Sequence, residues 1–284
     1  MSINFCHIAP VSYLPLVKEY PVHLLLAHLI EENEEYRNFY ANLKKENPNV
    51  FYHVDNSCFE MFKRGQPMYD SEKLIKMAKL VSGDSIVMSD YPKESSSKTI
   101  ASSRELAPRI KDAGFQTFFC PQSEFGKIDD LIDSFQWGID NSDVDVIGVS
   151  ILACPIGLGI NEQTYESGAR DESYRLQRYL ARFKVFNLLE QQGLLGVNTL
   201  KRFHCLGMTD GPNEIELLKP YHDHIFSWDS SSAIWHGING IQYDQSPTGL
   251  RAGKLETEVN FDIGAVDNTK SVTYNMNIIN NLCE

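Results

Sequence analysis

The sequence predicts an α/β fold in which eight parallel strands alternate with helices and close into a (β/α)8, or TIM, barrel. The chain has 284 residues, close to the roughly 250 residues that such a barrel needs. Short apolar runs alternate with amphipathic helical patterns, and this alternation indicates a parallel sheet. An open doubly wound sheet is the alternative, but no Gly-x-Gly-x-x-Gly motif follows the first run to favour it.

Each predicted strand is a short apolar run bounded by polar or turn-forming residues. The eight runs cover residues 3–9, 22–29, 50–54, 85–89, 117–120, 144–152, 203–207 and 225–228. The clearest helical patterns between them cover residues 31–45, 71–80, 103–113, 128–137, 173–192 and 213–218.

The segment after the last predicted strand has a different pattern. Residues 259–263 and 272–276 alternate in polarity, which is typical of strands. We therefore expect residues 244–284 to form a small C-terminal appendage, a hairpin followed by a final helix. No internal repeat or linker is visible, so we expect residues 1–284 to form a single domain.

The composition is that of an ordinary globular protein, with 42% hydrophobic and 23% charged residues. No apolar run approaches the roughly 18 residues of a membrane span. The first residues lack a charged region followed by an apolar one, so no signal peptide is predicted. We expect a cytoplasmic protein that does not bind a membrane.

The cysteine spacing and the net charge speak against several further classes of function. Six cysteines are present without a Cys-x-x-Cys pair, which speaks against a zinc ribbon or a redox motif. We expect free thiols, no metal and no cofactor. The formal net charge of −12 speaks against non-specific coating of nucleic acid, although it is compatible with a local basic patch.

Polar side chains follow several predicted strands at the point where each strand ends. Asp55, Asp90 and Asp229 each come directly after a hydrophobic run, and Gln122 follows another. A single aspartate at such a position is often a helix cap or a turn residue. Because barrel enzymes place their chemistry at the carboxyl ends of strands, three carboxylates and an amide there together favour a functional cluster.

Six segments, in order along the chain, carry a resemblance to a known family. They are Leu24-Leu25-Leu26-Ala27-His28, Val54-Asp55-Asn56-Ser57-Cys58-Phe59-Glu60, Ser89-Asp90-Tyr91-Pro92, Phe119-Cys120-Pro121-Gln122-Ser123, His204-Cys205-Leu206-Gly207-Met208 and Phe226-Ser227-Trp228-Asp229. Together they resemble the guanine transglycosylases, which replace guanine in nucleic acid by a 7-deazaguanine such as preQ0. The best-known members act on tRNA in queuosine synthesis, and a bacteriophage and bacterial branch acts on DNA.

The resemblance implies a role for each matching residue. Asp229 would be the nucleophile that attacks the sugar, and Asp55 the general acid/base. Asp90 and Gln122 would bind the edge of guanine, with Gln122 donating to O6, and Phe59 would stack on the base. The resemblance also assigns substrate binding to His28, Gly148, Ser150, Leu206 and Gly207.

Physical chemistry agrees with these roles. Breaking an N-glycosidic bond builds positive charge on the sugar, which a carboxylate can stabilise or capture covalently. Two displacements at one carbon allow one base to replace another, and a second carboxyl group can carry the proton. A carboxylate accepts the two N–H groups of guanine. The target base must leave its stack to reach the pocket of a barrel.

Three departures from the family pattern bear on the substrate. The tRNA enzymes have a zinc site of three cysteines and a histidine, whereas residues 243–284 contain only Cys283 and no histidine. The family's Gly-Gly-Leu-Ala-Val-Gly-Glu segment is replaced by residues 148–154, with fewer glycines, and the arginine expected after the nucleophile is missing. The chain is therefore most similar to the zinc-free, DNA-acting branch.

Basic residues suggest where a nucleic-acid backbone would bind. Arg175, Arg178 and Arg182 recur at helical spacing, which fits either a phosphate contact or a solvated helix face. Lys63-Arg64 and Lys93 lie just beyond the Asp55 and Asp90 segments and are better placed for a backbone contact.

The sequence therefore predicts a glycosyltransferase that exchanges guanine in DNA for a 7-deazaguanine base through a covalent glycosyl-aspartate. Its partners would be a nucleic acid, with DNA favoured over tRNA, and the free base. The alternatives are the same exchange on tRNA, a hydrolytic N-glycosylase or nucleosidase, and a non-catalytic barrel subunit. The Asp55 and Asp229 pair speaks against the last of these.

Overall fold

The computed structural model describes residues 2–160, 172–196, 201–255 and 257–284, except for the side chain of Lys63. Its strands are β1 (Asn4–His7), β2 (Val22–Leu26), β3 (Phe51–Asp55), β4 (Ser85–Val87), β5 (Gln116–Phe119), β6 (Val146–Ser150), β7 (Arg202–Leu206) and β8 (Ile225–Ser230). Each of them overlaps one of the eight predicted runs, so every strand prediction is confirmed.

The helices follow the strands in the expected alternation. They are α1 (Ala27–Glu32), α2 (Glu34–Glu46), α3 (Cys58–Lys63), α4 (Ser71–Val81), α5 (Ser96–Asp112), α6 (Ile128–Asp140), α7 (Ala153–Gly157), α8 (Glu172–Tyr179), α9 (Ala181–Gln191), α10 (Glu214–Leu217), α11 (Ser232–Ile238) and α12 (Thr269–Cys283), with 3-10 helices at Val11–Val17 and Lys219–His224.

The strands form one parallel sheet in the order β1-β8-β7-β6-β5-β4-β3-β2. The two strands at the ends of this order, β1 and β2, also pack against each other. Eight parallel strands with interleaved helices therefore form a nearly closed (β/α)8 barrel, as the sequence predicts.

Burial explains why short apolar runs suffice for these strands. Strands β2 and β6 are buried at all five positions, because a barrel strand is covered by side chains on one face and by helices on the other. Val87, Phe118 and Val146 form one interior cluster, against which Leu206 packs.

Three predicted elements differ from the structure. The predicted helix over residues 31–45 is interrupted at Asn33, between α1 and α2. The predicted helix over residues 173–192 is interrupted at Leu180, between α8 and α9. The predicted C-terminal hairpin is wrong, because residues 272–276 belong to α12 and no strand follows β8 in the described part of residues 244–284. Helix α12 packs against α11 and β1, where the backbone N–H of Ile3 donates to the carbonyl of Cys283 at 3.0 Å.

The chain comprises two compact units. The first contains residues 1–55, 76–84 and 207–284, with β1, β2, β3 and β8. The second contains residues 56–75 and 85–206, with β4 to β7. Over the residues described, no helix is long and apolar enough to cross a membrane.

Candidate active site

In the first unit, a contact in the barrel interior relates β3 to β8. The imidazole Nε2 of His53, on β3, lies 3.3 Å from the hydroxyl of Ser227, on β8, and both residues are fully buried. Asp55 and Asp229 come two residues after His53 and Ser227, respectively. Because every second side chain of a strand points to the same face, both carboxylates belong to the next interior layer towards the carboxyl ends.

Asp229 is held by the loop that follows β7. It is 5% exposed, and its Oδ1 accepts a hydrogen bond from the backbone N–H of Gly207 at 3.1 Å. Gly207 has φ of +71°, a conformation that favours glycine, and its carbonyl accepts from the indole of Trp228 at 2.8 Å. The geometry of this glycine therefore orients one oxygen of Asp229.

The thiol of Cys6 is a neighbour of this carboxylate. Cys6 on β1 is in register with Asp229 on β8. Burial raises the pKa of Cys6 well above its ordinary value, and the charge of Asp229 raises it further. Cys6 therefore stays a neutral thiol beside Asp229.

In the second unit, Asp90 is the centre of a buried cluster of amides and thiols. Its Oδ1 accepts from Asn56 Nδ2 at 2.8 Å, and its Oδ2 accepts from Gln122 Nε2 at 2.6 Å. The Cys58 thiol donates to the backbone carbonyl of Asp90 at 3.5 Å. Asn56 also donates to the carbonyl of Met88 and accepts from the N–H of Cys58, both at 2.8 Å, so it fixes the cluster to the backbone.

Burial sets the electrostatics of Asp90, which is 5% exposed. Desolvation raises the pKa of its carboxyl group, and hydrogen bonds from Asn56, Gln122, Cys58 and Cys120 partly oppose that rise. Its amide partners carry no charge, and a carboxylate oxygen can accept from more than one N–H group.

The side-chain oxygen of Gln122 is a hydrogen-bond acceptor that is not used in this structure. The side chain is 1% exposed, and its Nε2 contacts Asp90 Oδ2 and, at 3.6 Å, the sulfur of Cys120. Its Oε1 is buried and has no hydrogen-bond partner. In this structure the amide nitrogen therefore donates to Asp90, and the amide oxygen is an acceptor without a partner.

Two residues with left-handed backbone conformations adjoin this cluster. Ser57, next to Asn56, has φ of +57°, and Lys93, three residues after Asp90, has φ of +66°. Such conformations are strained for residues other than glycine, and they concentrate at binding and catalytic sites. Ser57 and Lys93 are therefore two strained positions in the segments that contain Asn56 and Asp90.

The other predicted substrate-binding residues have local structural roles. Gly148 lies within β6, where a Cβ atom would be 2.8 Å from side-chain atoms of both Leu206 and Phe118, so a larger residue would have to displace these side chains. Ser150 ends β6 and accepts from the N–H groups of Leu152 and Ala153 at 3.0 and 3.4 Å.

Two further predicted residues lie on helices that follow strands. His28 lies on α1, not at the end of β2, and it is 2% exposed with its ring 6.4 Å from that of Phe261. Phe59 is half-buried on α3, four residues after Asp55.

The prediction that Arg182 contacts phosphate is wrong. Its guanidinium is buried, with 1% exposure, and its Nη1 lies 3.3 Å from the carbonyls of both Val149 and Leu206. The arginine stabilises the ends of β6 and β7. Arg175 and Arg178 are half-buried on α8, whereas Arg64 and Lys93 are exposed, and the side chain of Lys63 is outside the described part.

Several buried polar residues received no role from the sequence. Asn56 and Cys58 flank Ser57 in the segment after β3 that resembles the guanine transglycosylases. Their position next to the end of a strand is the sequence feature that could have identified them. Asp210 and Glu214, in the first unit, are 1% and 0% exposed. Glu214 Oε2 accepts from the N–H and hydroxyl of Thr209 at 3.0 and 2.8 Å, which fixes the loop after β7.

The cysteines are free and buried, as expected. Within the described residues, no group of three or more His, Cys, Asp or Glu side chains is arranged to hold a metal ion. No family model matches the chain, and no curated protein is significantly similar to it.

Proposed function

We propose that this protein is a transglycosylase that exchanges guanine in DNA for a 7-deazaguanine base, with Asp229 as nucleophile and Asp55 as general acid/base. The observation that carries the proposal is the His53–Ser227 contact, which gives Asp55 and Asp229 a shared interior layer of the barrel. Two carboxyl groups in one layer at the carboxyl ends of strands suit a double displacement at a sugar carbon.

The proposed reaction has two balanced steps. In the first, an oxygen of Asp229 bonds to C1′ while the bond from C1′ to N9 breaks, and guanine leaves with a proton supplied by Asp55. In the second, the incoming base transfers a proton from its N9–H to Asp55. Its N9 then bonds to C1′ and displaces Asp229, so the sugar keeps its original configuration.

The Asp90 cluster supplies recognition of the base in this proposal. Guanine and 7-deazaguanines present adjacent N1–H and N2–H donors, which match the acceptor-only carboxylate of Asp90. When these donors reach Asp90 they compete with the Nε2 group of Gln122, 2.6 Å away in this structure. Release of that amide lets it rotate and donate to O6, which reconciles the observed orientation with guanine binding.

The test is release of labelled guanine from duplex DNA and from tRNA, each with a 7-deazaguanine base supplied. The native protein releases guanine from DNA beyond a single turnover only when the incoming base is present, because only that base frees Asp229 for another cycle. Asp229→Asn lowers the rate by at least about 1,000-fold, because the amide cannot form the glycosyl-enzyme. Asp84→Asn, which alters a half-buried structural carboxylate of the same unit, is the matched control and keeps most of the activity.

Other outcomes would redirect the proposal. Release from tRNA alone would retain the mechanism and change the substrate. An abasic product without an incoming base would indicate hydrolysis. If the folded native protein and Asp229→Asn released equal amounts of guanine, Asp229 would not be the nucleophile.

A further inference from the structure

An exposed aromatic ring beside the Asp90 cluster is associated with a lysine. Phe62, on α3, is 44% exposed, and the ammonium of Lys93 lies 5.7 Å from the centre of its ring. Nearby in the sequence, the ammonium of Lys98 lies 4.6 Å from the ring centre of Tyr91. We call Phe62, Arg64 and Lys93 the aromatic–cation patch.

The ring of Phe62 is exposed although it is apolar. A phenylalanine ring gains about 1.5 to 3 kcal/mol when it is removed from water, and nearly half of this ring remains accessible even with Lys93 above it. Lys93 also adopts a left-handed conformation. The exposed ring on α3 thus lies against a residue with a strained backbone, and such residues concentrate at binding sites.

The charge of these segments differs from that of the whole chain. Residues 58–69 and 91–98 contain four basic side chains and two acidic ones, in a chain with a formal net charge of −12. One of the acidic residues, Glu94, forms an ion pair with Lys98 at 3.0 Å. Arg64 and Lys93 are exposed, and with the ring of Phe62 they match a polyanion with planar groups, as a nucleic-acid strand is.

We propose that the aromatic–cation patch binds the strand that flanks the reacting nucleotide. One flanking base stacks on Phe62, and Arg64 and Lys93 bind adjacent phosphates. This inference rests on the proposed function for the identity of the reacting nucleotide. It adds a surface that reads no sequence, because every base offers a face for stacking.

The experiment measures binding of a single-stranded oligodeoxynucleotide of roughly 12 nucleotides, with a central guanine and 2-aminopurine beside it. No incoming base is added, so base exchange is not completed during the binding measurement. Phe62→Ala weakens binding by about 5- to 100-fold and abolishes the change in 2-aminopurine fluorescence, whereas Phe62→Trp keeps both. Lys93→Gln and Arg64→Gln each reduce the slope of log affinity against log salt by about 0.7.

The matched controls are on α12, in the other unit. Tyr274 is 43% exposed and Lys270 is also exposed. Tyr274→Ala and Lys270→Gln leave binding and its salt dependence unchanged, and thermal unfolding verifies that every variant is folded. The inference is overturned if the native protein does not bind the oligonucleotide, if Phe62→Ala binds as tightly as the native protein, or if Tyr274→Ala weakens binding equally.

Guanine exchange, measured with the same proteins, separates this inference from the proposed function. Patch-dependent binding without exchange would leave the aromatic–cation patch standing and reject the transglycosylase. Guanine exchange whose KM is unchanged in Phe62→Ala and Lys93→Gln would support the transglycosylase and reject the aromatic–cation patch.

Discussion

Strand β4 has one aspartate before it and one after it in the sequence, and the two carboxylates have contrasting surroundings. Asp84, before the strand, contacts the ammonium of Lys44 at 2.7 and 3.0 Å and accepts from the N–H of Tyr52 at 2.7 Å. Asp90, after the strand, accepts from two neutral amides, and burial raises its pKa. A cation neutralises the first carboxylate, whereas uncharged donors hold the second.

The same contrast recurs at other strands. Asp145, before β6, accepts from the N–H and the hydroxyl of Thr117 at 2.8 and 3.0 Å, which fixes the start of β5. Near the carboxyl end of β8, Asp229 is 5% exposed and is held by the N–H of Gly207. The carboxylates at the amino ends therefore fix the starts of strands, whereas Asp90 and Asp229, near the carboxyl ends, are buried and accept from uncharged N–H groups.

The largest expected effect separates Asp90 from Asp84 by activity. Asp90→Asn lowers kcat/KM for guanine exchange by about 100- to 1,000-fold, because an amide cannot accept both N–H groups of the base. Asp84→Asn changes kcat/KM by less than about threefold, since residues at the amino ends of barrel strands serve stability and not chemistry. Steady-state kinetics on DNA measures both values. Equal losses in the two variants would remove the distinction between the two ends.

The contrast between the two ends of the strands does not extend to buried histidines, and the pH dependence of stability tests this. His7, at the carboxyl end of β1, and His23, near the amino end of β2, are both buried, and desolvation lowers the pKa of each to about 4. The unfolded chain binds protons at an ordinary pKa near 6.5, so the folded state loses stability as the pH falls from about 7 to about 4. The expected loss is roughly 3 kcal/mol for each histidine.

The ionisation of Asp90 changes the free energy of unfolding with pH in the opposite direction to that of the two histidines. Because its pKa is raised in the folded state, its contribution to stability is present at low pH and is lost as the pH rises through that pKa. Denaturant unfolding from pH 7 to pH 4 measures the sum. His23→Gln is expected to flatten the curve, and a curve parallel to that of the native protein would show that His23 is not the titrating group.

When the free energy of unfolding is measured instead of activity, we expect Asp84→Asn to have the larger effect and Asp90→Asn the smaller one. Asp84→Asn lowers the free energy of unfolding by about 1 to 2 kcal/mol, because Lys44, whose side chain is 15% exposed, loses its anionic partner. Asp90→Asn is expected to stay within about 0.5 kcal/mol of the native protein at pH 7. Its new amide can donate to the buried Oε1 of Gln122 after that side chain rotates.

Urea unfolding at pH 7 compares the two variants directly. A loss for Asp90→Asn as large as that for Asp84→Asn would mean that the Asp90 cluster is structural. The native protein would then gain stability, not binding capacity, from this carboxylate.

The strands could be predicted because local composition determines them. Each apolar run is too short for a helix and ends in polar residues. The C-terminal hairpin could not be distinguished from a helix by alternation alone. Val272, Met276, Ile279 and Cys283 are the buried residues that reveal the helical period of α12. In the same way, the regular spacing of Arg178 and Arg182 continues across the break at Leu180, so it gave no sign that Arg182 is buried.

The candidate site was predictable only in part. Parallel topology implies that Asp55, Asp90, Gln122 and Asp229 follow the carboxyl ends of strands. The orientation of the Gln122 amide depends on its distant partner Asp90, and no local pattern in the sequence encodes that choice. The partners of Asp229 depend likewise on a glycine 22 residues away.

The smallest expected effect tests the way in which Asp229 is held. Gly207→Ala adds a Cβ atom at φ of +71°, which costs about 1 kcal/mol of stability. Relief of that strain tilts the N–H away from Asp229 Oδ1, and we expect kcat to fall by about five- to tenfold with little change in KM, since a hydrogen bond to a charged group contributes about 1.5 to 3 kcal/mol when intact. Gly240→Ala is the control, because Gly240 has φ of +73° and open space around its Cα. An equal fall in kcat for both variants would mean that backbone strain, and not the hydrogen bond to Asp229, limits the reaction.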